Sequence, residues 1–240
     1  MSKLFPSPDA KSLSEYIIQV FLIIFSILAA TWVGQCTERE RNEEKLAVYI
    51  ASIREEVDFE IQRHDLNLTD AQNDFDEIIE AIRLAAHPSL DSIYKLANYF
   101  IKVNIRGVFR TYPSSTWDAM VAAGESELIK DLDLRQQIAT SFAFRNTTIR
   151  EDLREWDAAN QEAYEQVASF IDLPNLGNFD ANFEKLLVDP EGFRLRAGPI
   201  LKSLLRQCSF RLFHLDVAKG QFELIKEMMD DMEMDTNAEL

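Results

Sequence analysis

The side chains with the most chemical potential are three histidines, His64, His87 and His214, set in a chain rich in carboxylates. A di-iron centre in a helical protein needs Glu-x-x-His on two helices. The residues three before the histidines are Ile61, Leu84 and Arg211, so that motif is missing. Glu60 stands four before His64, but one such pair does not make a metal site, and His64 reads as a seam histidine bonded to a neighbour. Phosphate-binding glycine loops, GxSxG and HExxH are also missing. The sequence therefore predicts no catalytic, cofactor-binding or metal-ligating residue, and a protein that is not an enzyme.

Two polar residues, Arg145 and Asn160, interrupt an otherwise apolar helical stripe. Either both lie at its edge, the arginine stem packed and its head in water, or they form a buried polar layer that fixes helix register, with Arg145 facing a carboxylate. Phe109, Tyr112 and Trp117 read as local core, with a peptide groove as the alternative. Ser26, Ala30 and Gly34 recur every fourth residue, a spacing that lets two helix backbones approach closely in a membrane. Asn67-Leu68-Thr69 and Asn146-Thr147-Thr148 match the glycosylation pattern but fall within predicted helices, and are read as chance.

These residues are positioned by helices, the first of which contains the organising stretch of the chain. Tyr16–Thr37 is 22 residues without a charge, bounded by Glu15 and Glu38. At about 1.5 Å per residue it reaches roughly 33 Å, enough for a hydrocarbon core of roughly 30 Å. Between Ile17 and Val33 the polar residues are Gln19, Ser26 and Thr31, and Ser and Thr can bond back to their own helix. Tyr16 and Trp32 sit near opposite ends, where amphipathic rings settle at headgroups. A buried soluble helix is the first alternative, and a cleaved signal peptide the second. The run exceeds the usual apolar region of a signal peptide, and Gln35 stands before Cys36 where a lipoprotein needs a small residue. The expectation is an uncleaved anchor.

The formal charge of the 240 residues is −16. Residues 1–15 are balanced, Lys3 and Lys11 against Asp9 and Glu15, so the excess lies after the apolar stretch. Such a surface repels phosphate backbones and argues against nucleic-acid binding. Two cysteines, Cys36 and Cys208, are too few for a disulfide framework.

No Gly or Pro occurs between Gly34 and Pro88, so one helix can run from the apolar stretch to His87. Its seam reads Leu46, Ile50, Ile53, Val57, Ile61, His64, Leu68, Ala71, Phe75, Ile78, Ile82 and Ala85. Residues 88–130 read as a helical excursion covering one end of the fold. Ser89 caps a helix, Val103–Pro113 forms an irregular connection, and Ser115 and Asp118 make a capping box for Thr116–Ala123, which stops at Gly124. A second long helix, Asp131–Ile171, carries Leu134, Ile138, Phe142, Arg145, Ile149, Leu153, Trp156, Asn160, Ala163, Val167 and Phe170, and ends at Pro174 and Gly177. A short helix, Asp180–Val188, follows. Asp189-Pro190 opens the last element, Gly198-Pro199 kinks or restarts it, and its seam runs from Leu201 and Leu205 through Cys208, Leu212 and Leu215 to Met232. Residues 227–240 form an acidic tail that frays. The predicted fold is all-α: a tail (1–15), a transmembrane helix (16–37) and an elongated antiparallel helical bundle (38–240).

Three segments together resemble a known family. They are Ala30-Thr31-Trp32 passing into Glu38–Lys45, then Tyr112-Pro113-Ser114-Ser115-Thr116-Trp117-Asp118-Ala119-Met120 with Gly124-Glu125, and Leu187-Val188-Asp189-Pro190-Glu191-Gly192-Phe193-Arg194. The chain is similar to an uncharacterised bacterial family of single-pass membrane proteins with a helical extramembrane domain of unknown function. The resemblance implies no activity and no site residues.

These readings converge on a membrane-anchored interaction or scaffold protein, a homo-oligomer or membrane-complex subunit, with no identifiable small-molecule ligand. The alternative is an extracytoplasmic sensor or ligand-binding module acting through a partner. Orientation is contested by the charges. Arg39, Arg41 and Lys45 would hold the domain inside, against Lys3, Lys11 and the amino terminus on the other side. Glu38, Glu40, Glu43 and Glu44 surround those bases, and members of the resembled family have basic tails. The expectation is a bacterial inner-membrane protein with its domain in the periplasm.

Overall fold

The computed structural model describes residues 10–105, 115–171 and 187–238, with side chains for 16–102, 115–171 and 187–232. The protein is all-α. The helices are α1 (Ala10–Ala86), α2 (Leu90–Ile105), α3 (Thr116–Ala122), α4 (Leu132–Phe144), α5 (Arg150–Ala168) and α6 (Pro190–Ala238). A 3₁₀ turn, Ser126–Leu128, precedes α4, and a π turn, Arg145–Ile149, joins α4 to α5. The extended pairing among the described residues is an isolated antiparallel bridge, Ile171 to Leu187. Phe109, Tyr112, Pro174, Gly177 and nearly all of the expected helix at 180–188 lie outside the described residues, as does most of the N-terminal tail.

The chain divides into two compact units, Met1–Ala51 and Ser52–Leu240. In the first, the helix from Tyr16 exposes its apolar side chains, Phe21 at 70% and Trp32 at 67%. The hydroxyls of Ser26, Thr31 and Thr37 donate to the carbonyls of Leu22, Ile27 and Val33 at 2.7, 2.8 and 3.1 Å. These three hydroxyls are thus satisfied within their own helix, as an apolar solvent requires.

The second unit is a bundle whose directions follow from its cross-links. Arg54, Asp58, Asp65 and Asp74 of α1 meet Asp230, Lys226, Lys219 and Arg211 of α6, each at 2.7 Å. As one number rises the other falls, so α1 and α6 are antiparallel. The same holds for α4–α5 against α6, where Phe142 meets Phe222 and Asp152 meets His214. It follows that α1 and α4–α5 run in the same direction. A parallel pair needs a crossover, and its described parts are α2 at one end and α3 at the other. Arg194 donates to the Ala85 carbonyl at 2.9 Å beside the start of α2. The Thr116 N–H at the start of α3 donates to Glu56, 29 residues back along α1 and roughly 44 Å away.

Local signals predict the element ends well. Ser89 accepts from the Ser92 N–H at 3.2 Å, and Asp131 from the Leu134 N–H at 2.9 Å. Ser115 and Asp118 form the capping box, and Gly124 has φ +70°, the left-handed conformation in which a Cβ would be strained. Asp189 caps α6 through the Gly192 N–H at 2.9 Å, so close that a Cβ on Gly192 would lie 2.2 Å from the capping carboxylate.

Five expectations need correction. Helix α1 stops at Ala86, because His87 precedes Pro88 and is pushed out of the helical region. The segment 103–105 belongs to α2, while Leu187 and Val188 form the bridge and a bend. Helix α6 runs through Pro199 without restarting. Both Pro199 and Leu195, whose carbonyl loses its donor, are exposed, so that carbonyl is open to solvent. The backbone of α6 also stays helical to Ala238, across the stretch expected to fray.

Candidate functional site

The buried stripe of α1 is Ile53, Val57, Glu60, His64, Asn67, Ala71, Ile78, Ala81 and Ala85. Its heptad rhythm matches the expectation, but its centre is polar. Glu60 and Asn67 occupy fully buried positions, while Ile61 and Leu68, expected there, are half-buried. Opposite them, α4–α5 buries Leu134, Ile138, Phe142, Arg145, Ile149, Leu153, Trp156, Ala163 and Val167, nearly the whole predicted seam. Asn160 is half-buried, some 22 Å along the helix from Arg145, and takes no part in the same layer. The structure thus brings His64 and Arg145 together, leaves Asn160 apart, and adds Glu60 and Asn67. In α6, Leu204 and Arg211 take the buried places, Leu205 and Leu212 are half-buried, and Met232 is exposed.

At the centre, Arg145 Nη1 donates to Glu60 Oε1 at 2.8 Å, and both side chains are almost fully buried. The same guanidinium donates from Nε and Nη2 to Asn146 Oδ1 at 3.0 and 2.8 Å, and its carbon lies 4.9 Å over the Phe142 ring. Arg63 reaches both oxygens of Glu60 at 2.6 Å from the solvent side. Arg145 is the first residue of the π turn, an interruption that recurs at functional positions. Helix α3 closes the layer from outside. Burial acts to raise the Asp118 carboxyl, but hydrogen bonds from Ser115 and Asn146 and the Arg145 charge bring it net below its usual value.

His64 stacks on Phe222, 5.7 Å between centroids, with Nε2 3.8 Å from Glu60. Burial first, then the charges of Arg63 and Arg145, push its pKa down to about 4, against a smaller upward pull from Asp65. It is therefore a neutral imidazole at pH 7. Neither ring nitrogen of His64 and neither polar atom of the Asn67 amide has a hydrogen-bond partner among the described residues. One turn of the bundle thus concentrates a buried ion pair and unpaired polar atoms.

A second charged layer lies further along. Arg211 is buried, donates to Asp74 at 2.7 Å and stacks over Trp156 at 5.4 Å. Beside it His214 Nδ1 meets Asp152 at 2.6 Å at the rim of a cleft of about 140 Å³ lined by Glu155, Trp156, Gln207 and Phe210. Cys208 donates to the Ala71 carbonyl at 3.3 Å, and burial pushes its thiol up to about 12, so it is inert packing.

Sequence reasoning missed Glu60, Asn67 and Arg211 because a search for apolar periodicity steps over polar residues. The signal that could have found them is the strict three-four spacing itself, which places 60 and 67 on the buried line whatever their type.

Chemically, the central layer is a lock. A buried charge without its partner costs several kcal/mol, so a slip of one helix turn leaves Arg145 without its carboxylate and Glu60 with Arg63 alone. His64 is fully buried, so it offers no imidazole to solvent. The small-residue face of Ser26, Ala30 and Gly34 lies in the first unit, where all three are exposed and nothing approaches Gly34. Compared with known proteins, the chain matches no family model, no curated protein and no solved structure.

Proposed function

We propose that the protein is a membrane-anchored helical scaffold whose bundle holds a membrane-associated complex together. One observation carries this reading. The apolar part of α1 has an 18-residue window with mean hydropathy 2.3, none of it buried against protein. Water does not favour such a surface, and lipid covers it at no cost. The same chain supplies a bundle whose ion-paired layers favour a single register, suited to presenting a fixed surface. On this reading the protein resides in a bacterial inner membrane as a single-pass protein, with its bundle in the periplasm.

Two measurements test it. Flotation of native membranes on a gradient, after alkaline carbonate, should carry the chain with the lipid; recovery in the soluble fraction overturns the anchor. Protease added to intact spheroplasts should digest residues 38–240. Their survival, with control periplasmic domains cut, overturns the orientation but not the anchor.

The cleft at His214 supports a second reading, a sensor acting through a partner. Its volume is below the roughly 300–1,000 Å³ of ordinary ligand pockets, which is why the scaffold reading is preferred.

A further inference from the structure

Helix α6 carries a second apolar stripe outside its buried line, with Phe210 at the edge of the cleft against α5. Phe213 is 62% exposed, Phe210 51% and Leu224 44%. Between them lie half-buried Val217 and exposed Gly220, where an added Cβ would meet nothing within 4 Å. These five positions, 210, 213, 217, 220 and 224, alternate steps of three and four, the rhythm of a coiled-coil seam. No helix among the described residues covers them. Isolated surface leucines need no explanation, but a seam at heptad spacing with two exposed phenylalanines does.

The charges at the two ends of the stripe are segregated, while exposed Asp216 flanks its middle. At its N-terminal end Lys202 and Arg206 are exposed, with the Arg206 guanidinium 5.7 Å over the Phe210 ring. At its C-terminal end Glu227 and Asp231 are exposed. None of the four makes an ion pair among the described residues, in contrast to Lys219 and Lys226 on the inner face, which are paired to α1.

The geometry points to a second copy of this chain as the occupant: two α6 helices pack antiparallel through this stripe, related by a two-fold axis at Val217. That axis sets Phe210 opposite Leu224 and brings Phe213 to within one residue of Gly220, a large side chain beside a gap. It also brings Arg206 to within one residue of Glu227 and Lys202 to within one residue of Asp231. A parallel pair would set each of these charges against its own kind, and an anionic lipid surface would be repelled by the acidic end. An isologous contact of this sort closes on itself as a dimer. The inference supplies one partner for the interaction role proposed above. It stands on the surface of α6 alone, so its failure would leave the anchored scaffold untouched, and loss of the anchor would leave the dimer standing.

The test uses the full chain in detergent micelles, with exposed Cys36 changed to Ser so that buried Cys208 is the native thiol that remains. Val217→Cys should form a disulfide-linked dimer on mild oxidation. Phe210→Cys mixed with a differently tagged Leu224→Cys should form the mixed dimer, while each alone crosslinks poorly. Phe213→Asp should raise the dissociation constant at least about thirty-fold, as loss of a central aromatic anchor does. Arg206→Glu should weaken association, and adding Glu227→Arg should restore it. All of these are surface positions, and unchanged circular dichroism will show that the bundle is intact. A monomeric mass without crosslinking at Val217 overturns the proposal. So does efficient crosslinking of Phe210→Cys with itself, which marks a parallel pair, or a dimer that persists through the apolar span while Val217→Cys stays reduced.

Discussion

Helix α1 contains two regions that invert each other. From Tyr16 to Val33 it is apolar and exposed; from Glu60 to Asn67 it is polar and buried. A protein surrounded only by water favours neither arrangement. In the first region the Ser26 and Thr31 hydroxyls are closed onto carbonyls four residues back, so that between Tyr16 and Trp32 the surface is hydrocarbon except at Gln19. In the second, a carboxylate and two guanidiniums meet beside His64 and Asn67 in a core otherwise mostly apolar. The comparison shows that helical periodicity reports a face while the solvent on that face sets its meaning. On the proposed reading, lipid explains the exposed apolar circumference. The interrupted stripe is explained by a partner helix carrying the complementary charge.

The largest expected effect removes one side of the comparison altogether. Deleting residues 16–37 should move the chain wholly from the membrane pellet to the supernatant, as a soluble, highly helical protein. An aggregated product would show that the bundle depends on the span.

Next, Arg145→Leu should destabilise the bundle by about 3–5 kcal/mol in urea unfolding, because it leaves Glu60 buried and charged. The double change Glu60→Leu with Arg145→Leu should recover at least half of that loss, since Arg63, already partly exposed, can turn to water. A double variant as unstable as the single one would show that the pair stabilises the bundle beyond its mutual neutralisation.

A smaller effect is written in pH. The His64 pKa is lowered in the folded state to about 4 from an ordinary 6.5. Above pH 6.5 both states are neutral and the stability is intact. As pH falls from 6.5 to 4 the unfolded chain takes up a proton that the folded chain refuses, and stability falls by about 3 kcal/mol. Carboxylates titrate in the same range, so the quantity to measure is the difference between the wild type and His64→Leu. That difference should slope between pH 6.5 and 4; a flat one would place the imidazole in contact with water.

The smallest effect lies outside both regions. Ser115→Ala should cost about 1 kcal/mol, the usual value of a helix N-cap, by thermal unfolding. A larger loss would mean that α3 also holds the Arg145 layer in place through Asp118.

Much of this was legible in the sequence for a physical reason. Caps such as Ser89, Ser115 and Asp189 act within four residues, so their partners are fixed by spacing alone. The stripe from Leu134 to Val167 was legible because nearly every buried member is apolar. Glu60 and Asn67 were not, since their burial depends on what another helix presents. The crossover of residues 88–130 was hidden for the same reason: two helices with matching stripes pair equally well on paper in either direction. Only the sequence of contacts Arg54–Asp230, Asp65–Lys219 and Asp152–His214 separates the two. The passage of α6 through Pro199 depends on Leu195 facing water, which no local motif records.

The central claim is that lipid covers the helix from Tyr16 to Val33. Spin labels placed one at a time along this stretch in reconstituted bilayers test it most directly, by comparing accessibility to oxygen with accessibility to a water-soluble nickel reagent. The account predicts a smooth profile in which oxygen access peaks near the middle, around Ile24 and Phe25, and falls toward both ends. A profile that oscillates every 3.6 residues, with one face open to the nickel reagent throughout, would contradict it.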